Sequence, residues 1–148
     1  MMTLRTATRE DIGDMMPLFD NLYRGCIDPG FPDILEELIL SDAHLVVLAI
    51  ADASVVGVLV GSYRVDIDYE CRAGFIDAVV VRRDWRARGV GPALLGEFAR
   101  WAQSRGATVL QALNCRRKSF EAIGFRERPA TLHQVPIDGV FRQQGDGP

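Results

Sequence analysis

Apolar residues Ile12, Met15, Met16, Phe19 and Leu22 are spaced by three and four, which predicts an amphipathic helix over residues 8–23 with Met and Phe packed in the core. Thr8 with Asp11 three residues later resembles a capping arrangement at its start, and residues 4–7 form a short strand before it. Residues 25–32 have the Gly and Pro density of a loop bordering a substrate pocket, and 33–40 a second, shorter helix. The pattern then changes to β-branched runs at 45–51 and 55–65, parted by Asp52-Ala53-Ser54, which predicts an antiparallel hairpin whose second strand extends to about 68. A further strand at 74–81 leads into Arg86-Ala87-Arg88-Gly89-Val90-Gly91-Pro92-Ala93 and a helix over 91–104 that buries Leu94, Leu95, Phe98, Ala99, Trp101 and Ala102. Gly106 caps that helix, 108–112 is the next strand, 117–122 a short helix stopped by Gly124-Phe125, and 131–137 a last strand before a frayed tail after 142.

The order strand, glycine turn, helix, strand predicts a parallel pair joined by a crossover helix within a mixed α/β fold. At 148 residues, with 48% apolar and 25% charged positions and no Pro-, Gly- or Ser-rich linker, the chain reads as one globular domain over 1–148. The longest apolar runs, 45–51 and 55–60, are far shorter than the roughly 20 residues of a membrane-spanning helix, so no membrane partner is expected. Met1-Met2-Thr3-Leu4-Arg5 has no apolar run and no small-residue cleavage pattern, which makes cytoplasmic residence the expectation. Cys26, Cys71 and Cys115 are widely spaced and lack a C-x-x-C pair, so they read as reduced thiols rather than a disulfide or metal framework.

Charge is distributed unevenly. Residues 1–77 carry 14 acids against 5 arginines, a balance of −9, whereas residues 78–148 carry 6 acids against 12 bases, a balance of +6. That division suits an anionic ligand on the second half and a cationic one on the first. Nucleic acid is a poorer fit, because the chain is acidic overall, its bases cluster around one turn, and it has no recognition-helix or stacking motif.

The turn itself is a cradle for a phosphate-bearing cofactor. Gly89 and Gly91 let the backbone approach a bulky anion, the helix start near Pro92 aims unpaired N–H groups and its positive dipole end at the same spot, and Arg86 and Arg88 add charge. Arg82 and Arg83 read as solvent-facing.

Arg86-x-x-Gly89-x-Gly91 after the strand Phe75-Ile76-Asp77-Ala78-Val79-Val80-Val81, with Asn114 and the closing Phe120-Glu121-Ala122-Ile123-Gly124-Phe125, resembles the GNAT superfamily of acetyl-CoA-dependent N-acetyltransferases over nearly the whole chain. The resemblance implies a central, mostly antiparallel sheet splayed at its parallel pair, with acetyl-CoA as acetyl donor lying in the opening. It implies cofactor contacts from the main chain at Val79, Val80 and Val81, from Arg86 and Arg88, from Gly89, Val90, Gly91, Pro92 and Ala93, and from Asn114 and Phe120. It calls for no metal and leaves a homodimer open.

Acetyl transfer needs a neutral amine, a polarised carbonyl and a departing thiolate. Asp77, an acid within an apolar strand, stands where many family members place a Glu or Asp, and alternation would put it on one face with Val79 and Val81. Apolar surroundings would raise its pKa and suit it as the base; a structural carboxylate is the equal alternative. Where the family usually has a Tyr acid four residues before the closing Gly, this chain has Phe120, which leaves Ser119 or water to protonate the thiolate. Both an enzyme and a catalytically weak acyl-CoA sensor therefore stay open. Asp66, Asp68 and Glu70 alternate with Val65, Ile67 and Tyr69, so an extended strand would line up three carboxylates on one face, either as a solvated strand edge or as a rim for an ammonium-bearing acceptor. Asp28 in the first interhelical loop joins that rim, with Tyr69 among its aromatic walls. The acceptor expected is the primary amine of a small cationic molecule or of a peptide.

Overall fold

Short turns and β-branched runs build a sheet of five strands. The computed structural model describes residues 1–113, 122, 124–126 and 134–143. Met1–Leu113 and Asn114–Pro148 are separate compact units. The first contains β1 (Met2–Thr6), α1 (Ile12–Leu22) after a 3-10 turn at Arg9–Asp11, α2 (Phe31–Leu40), β2 (His44–Ala51), β3 (Ser54–Asp66), β4 (Cys71–Val81), α3 (Val90–Ser104) after a 3-10 turn at Arg83–Trp85, and β5 (Val109–Ala112). The second contains α4 (Ile137–Gln143).

Strand order is β1-β2-β3-β4-β5, antiparallel throughout except for the parallel pair β4–β5. A mixed α/β fold with a parallel pair at one side of a mostly antiparallel sheet is thus what the chain adopts. The predicted hairpin is tight because Asp52 and Ala53 both take left-handed backbone angles, φ 52° and 60°, the twist a two-residue connection requires. At the start of α1, the Thr8 N–H donates to Asp11 Oδ2 at 2.8 Å while Arg5 grips the same carboxylate with two bonds of 2.7 and 2.8 Å. Those bonds, led by the one from Arg5, hold the Asp11 carboxyl down to about 2.

The two sheet faces are packed by different means. On one, Val46, Leu48, Val58, Val60 and Val80 meet Met15, Leu18 and Phe19 of α1 and Leu35 of α2 in a continuous apolar core. On the other, α3 lies against glycines. A Cβ at Gly57 would stand 2.7 Å from a Val90 methyl, one at Gly74 would stand 2.8 Å from Ala102, and one at Gly61 would run into the Phe98 ring. Missing side chains therefore let α3 come close to the backbone of β3 and β4.

Two expectations change. Residues 67–70 are a turn, so β3 ends at Asp66 and the carboxylates of Asp66, Asp68 and Glu70 do not alternate along one strand face. Asp66 itself nucleates that turn, its Oδ1 accepting the N–H groups of Asp68 and Tyr69 at 3.1 and 3.2 Å, a side-chain competitor that ends the ladder. At the other end of the chain, Ile137 opens α4 rather than closing a strand, and residues 131–133 lie outside the described residues, as does most of the short helix expected at 117–122.

Candidate active site

β4 is the element that positions the site. Its rungs to β5 run Ala73↔Val109, Gly74↔Leu110, Phe75↔Gln111 and Ile76↔Ala112, and then stop. Its rungs to β3 continue from Ala78↔Val60 to Val81↔Gly57. From Asp77 onward the β5-facing edge of β4 therefore has no ladder partner among the described residues, and the sheet forks there. Open main-chain groups along such an edge pair readily with an extended amide-bearing arm.

Between Val60 and Gly61 the β3–β4 register slips by one residue, so Asp77 is the extra residue of a β-bulge. This overturns the simple alternation. Val79 and Val81, opposite Leu59 and Gly57, fall in phase on the α3 face. Asp77 is instead under the charges of His44 and Arg64, which are in phase with Val46 and Val60 on the face covered by α1. The bulge lets one strand turn apolar side chains to α3 while aiming a carboxylate the other way. Asp77 is open to solvent on one side, yet desolvation by the protein around it raises its carboxyl above the ordinary range, against the opposing charges of His44 and Arg64.

Past Val81 the chain makes the 3-10 turn and enters the glycine segment. Gly89 is the N-cap of α3 with φ 81°, a left-handed angle that favours glycine. Among the described residues nothing lies within 4 Å of where a Cβ on Gly91 would be, so its bareness leaves open space beside the helix start. In α3 the Ala93 N–H already reaches the Gly89 carbonyl at 3.1 Å and Pro92 has no N–H to offer. Among the described residues, no partner is found for the N–H groups of Val90 and Gly91 in the first turn.

The flanking arginines are tethered near that space. Arg86 Nε donates to the Val81 carbonyl at 3.3 Å, and the Arg88 guanidinium lies 4.8 Å from the centre of the Trp85 ring. Arg82 does not simply face solvent as its position suggested. It is gripped by Asp84 at 2.7 and 3.1 Å and reaches Ser54 Oγ at 3.2 Å, which ties the strand exit to the β2–β3 turn. Arg83 is exposed.

A left-handed glycine, a second glycine bare towards open space, free helix N–H groups and two arginines fit a pyrophosphate, and the open β4 edge fits the arm that would extend from it. The acetyltransferase (GNAT) family matches residues 13–130 of the sequence. The chain belongs to that family. No match is found among curated protein sequences. Among solved structures of similar fold, the aminoglycoside N-acetyltransferase AAC(6')-Iy in complex with CoA has a TM-score of 0.81 at 22% identity, covering 92% of this chain and 95% of that one. The ribosomal-protein-alanine N-acetyltransferase from Brucella melitensis biovar Abortus 2308 has a TM-score of 0.75 at 21% identity, covering 92% and 100%. AAC(6')-Ih from Acinetobacter baumannii has a TM-score of 0.81 at 17% identity, covering 92% and 98%. These likenesses give the chain the fold of GNAT acetyltransferases.

On the acidic side, Asp28 lines an open cleft of about 530 Å³ with Asp20, Met16 and Pro17 of α1 and with Pro29 and Pro32. Asp68 and Tyr69 lie in the β3–β4 turn, while Asp66 is buried and fully engaged by its neighbours. Asp28 is thus placed apart in sequence and element from Asp66, Asp68 and Tyr69. Asn114, Ser119 and Phe120 lie outside the described residues. Among the described residues no group of three His, Cys, Asp or Glu side chains could hold a metal ion, and no helix is long and apolar enough to cross a membrane.

Reading the sequence alone missed His44, Arg64, Gln111 and Trp85. Trp85 left a trace, an aromatic three residues before Arg88 in a basic turn. The other three are brought to β4 by register across strands, which no local pattern encodes.

Proposed function

We propose that this chain is an acetyl-CoA-dependent N-acetyltransferase acting on the primary amine of a small cationic molecule or of a peptide, with residues 1–148 working as one catalytic domain. The fork carries the reading: β4 loses its β5 partner at Ile76, beside a helix start whose second glycine faces open space. Support for a single domain comes from the family match, which continues to residue 130 across the boundary at Leu113.

In this reading the N–H groups of Val90 and Gly91, with Arg86 and Arg88, hold the pyrophosphate, while the exposed main chain at Val79 and Val81 pairs with the pantetheine arm. Gly89, Pro92 and Ala93 shape the turn. Acetyl-CoA supplies the activated carbonyl and the thiolate leaving group. Asp77 accepts, directly or through water, the proton that the amine nitrogen gives up as the N–C bond forms and the C–S bond breaks. The departing sulfur takes its proton from Ser119 or from water, a tolerable arrangement for a thiol whose ordinary pKa is about 8.5. A raised carboxyl at Asp77 makes it a better acceptor, and transfer slows as pH falls through its titration. Asp28, Asp68 and Tyr69 supply the acidic and aromatic approach for the amine.

Incubation with acetyl-CoA and a panel of kanamycin, spermidine and an amino-terminal alanyl peptide tests this. The expected result is thiol release with a product heavier by roughly 42 Da, the acetyl increment. Because Phe120 occupies the usual acid's position, a sensor is the competing reading. Tight acetyl-CoA binding with no product from any amine would establish the sensor instead.

A further inference from the structure

The segment 82–93 that forms the cradle carries four arginines and a single acid, Asp84. The acid stands two residues before Arg86 and four before Arg88, inside the 3-10 turn that leads into the cradle. That turn is closed by the Trp85 N–H on the Arg82 carbonyl at 2.9 Å and the Arg86 N–H on the Arg83 carbonyl at 3.3 Å. An unpaired carboxylate at this place would repel a pyrophosphate and compete with it for the arginines.

Arg82 removes the competitor. Its Nε donates to Asp84 Oδ1 at 2.7 Å and its Nη2 to Oδ2 at 3.1 Å, a side-by-side grip that takes both carboxylate oxygens. Its Nη1 donates to Ser54 Oγ at 3.2 Å, a hydroxyl that itself donates to the Ala51 carbonyl at 3.1 Å, and its backbone N–H bonds to the Val56 carbonyl at 2.8 Å. The guanidinium is thus fixed at three nitrogens and keeps the carboxylate on the side of the β2–β3 turn. Among the described residues, no carboxylate lies within ion-pair distance of Arg86 or Arg88. Arg86 bonds to the Val81 carbonyl and Arg88 rests on the Trp85 ring, contacts that orient both cations without cancelling their charge. Stability is a poor reason for the pair itself, since the Arg82 and Asp84 side chains are 37% and 65% exposed and such pairs contribute little to folding.

We propose that Arg82 is a positioning residue for cofactor binding, one that occupies Asp84 on the hairpin side of the turn and so leaves Arg86 and Arg88 to the pyrophosphate. It rests on the turn being the acetyl-CoA cradle. Arg82 need touch no phosphate, because its charge is matched by Asp84 and it acts through the acid it withholds. Without it, Asp84 turns to one of the remaining arginines, and the cradle loses a cation.

The test is made on the full chain by calorimetry with CoA and by NMR titration with pantetheine, which has the arm and no phosphates. Arg82→Met weakens CoA about fivefold to tenfold and leaves pantetheine unchanged, and the CoA deficit narrows in about 1 M salt, where charges are screened within ~3 Å. Adding Asp84→Asn to Arg82→Met recovers most of the loss, since the acid to be withheld is gone. Arg82→Lys, which keeps the charge but not the two-pronged grip, loses about twofold to threefold and carries the test if Arg82→Met does not fold. An unchanged CoA affinity in Arg82→Met overturns the proposal. So does a double variant as weak as the single one, which would mean that Arg82 acts through the shape of the turn. Equal losses of CoA and pantetheine also overturn it, because they report a general loosening of the fold. A wild type that binds CoA no better than pantetheine removes the cradle reading and the proposal together, whereas a wild type that prefers CoA, beside an indifferent Arg82→Met, removes the proposal alone.

Discussion

The lower and upper halves of β4 are built to opposite specifications. Residues 73–76 have strand partners on both edges, and Gly74 and Gly61 let α3 press against the backbone with no room for a methyl group. Among the described residues, 78–81 have a partner on one edge only, and the helix start they lead to keeps a glycine bare towards open space. Gly61 and Gly74 mark crowding by protein, whereas Gly91 marks vacancy. The bulge at Asp77 divides the two, so the lower half secures the fold and the upper half is free to bind.

Substitutions can break this division. The largest effect is expected at the dividing residue: Asp77→Asn lowers kcat by about 10²–10⁴-fold, roughly 3–5 kcal/mol of barrier, with the melting temperature near that of the wild type. Steady-state rates beside a thermal melt check it, and an equal loss in stability would return Asp77 to a structural role. In the lower half, Gly61→Ala puts a Cβ into the Phe98 ring and 2.9 Å from the Phe75 carbonyl, for an expected loss of about 1–3 kcal/mol in denaturant unfolding. Wild-type stability there would mean α3 is not held by the close approach. At the helix start beyond the upper half, a Cβ at Gly91 has no described neighbour within 4 Å, so Gly91→Val should keep the fold while CoA binding weakens about tenfold, close to 1.4 kcal/mol by calorimetry. Equal CoA affinity in that variant would separate the cofactor from this turn.

The same division marks what the sequence could tell. Elements made by local chemistry were legible: the stripe from Ile12 to Leu22, the hairpin at Asp52-Ala53, the glycine turn and the helix after it all fall within a few residues of their places. The makeup of that turn was legible for the same reason, since its donors, glycines and arginines follow one another along the chain. Features made by register were not. A one-residue slip opposite Gly61 moved Asp77 out of phase with Val79 and Val81, and Asp66 bent residues 67–70 into a turn that dispersed an expected row of carboxylates. Arg64 and Gln111 are 47 residues apart and meet only because β3 and β5 flank the same strand.

The direction of the β4–β5 pairing also orders how the sheet assembles. β2, β3 and β4 are consecutive antiparallel strands joined by a two-residue turn and the turn at 67–70, so their pairing closes over short lengths of chain. β5 can join only after the whole of residues 82–108, with α3 inside, has folded back across the face, a closure with a larger entropy cost. The four rungs between β4 and β5 then form after the β2–β3–β4 pairing, as do those of β1, which wait on residues 7–43, and they are the rungs from which the fork opens. A cofactor seated in that fork would bridge a late-forming seam, so that binding it would also finish the folding of the sheet.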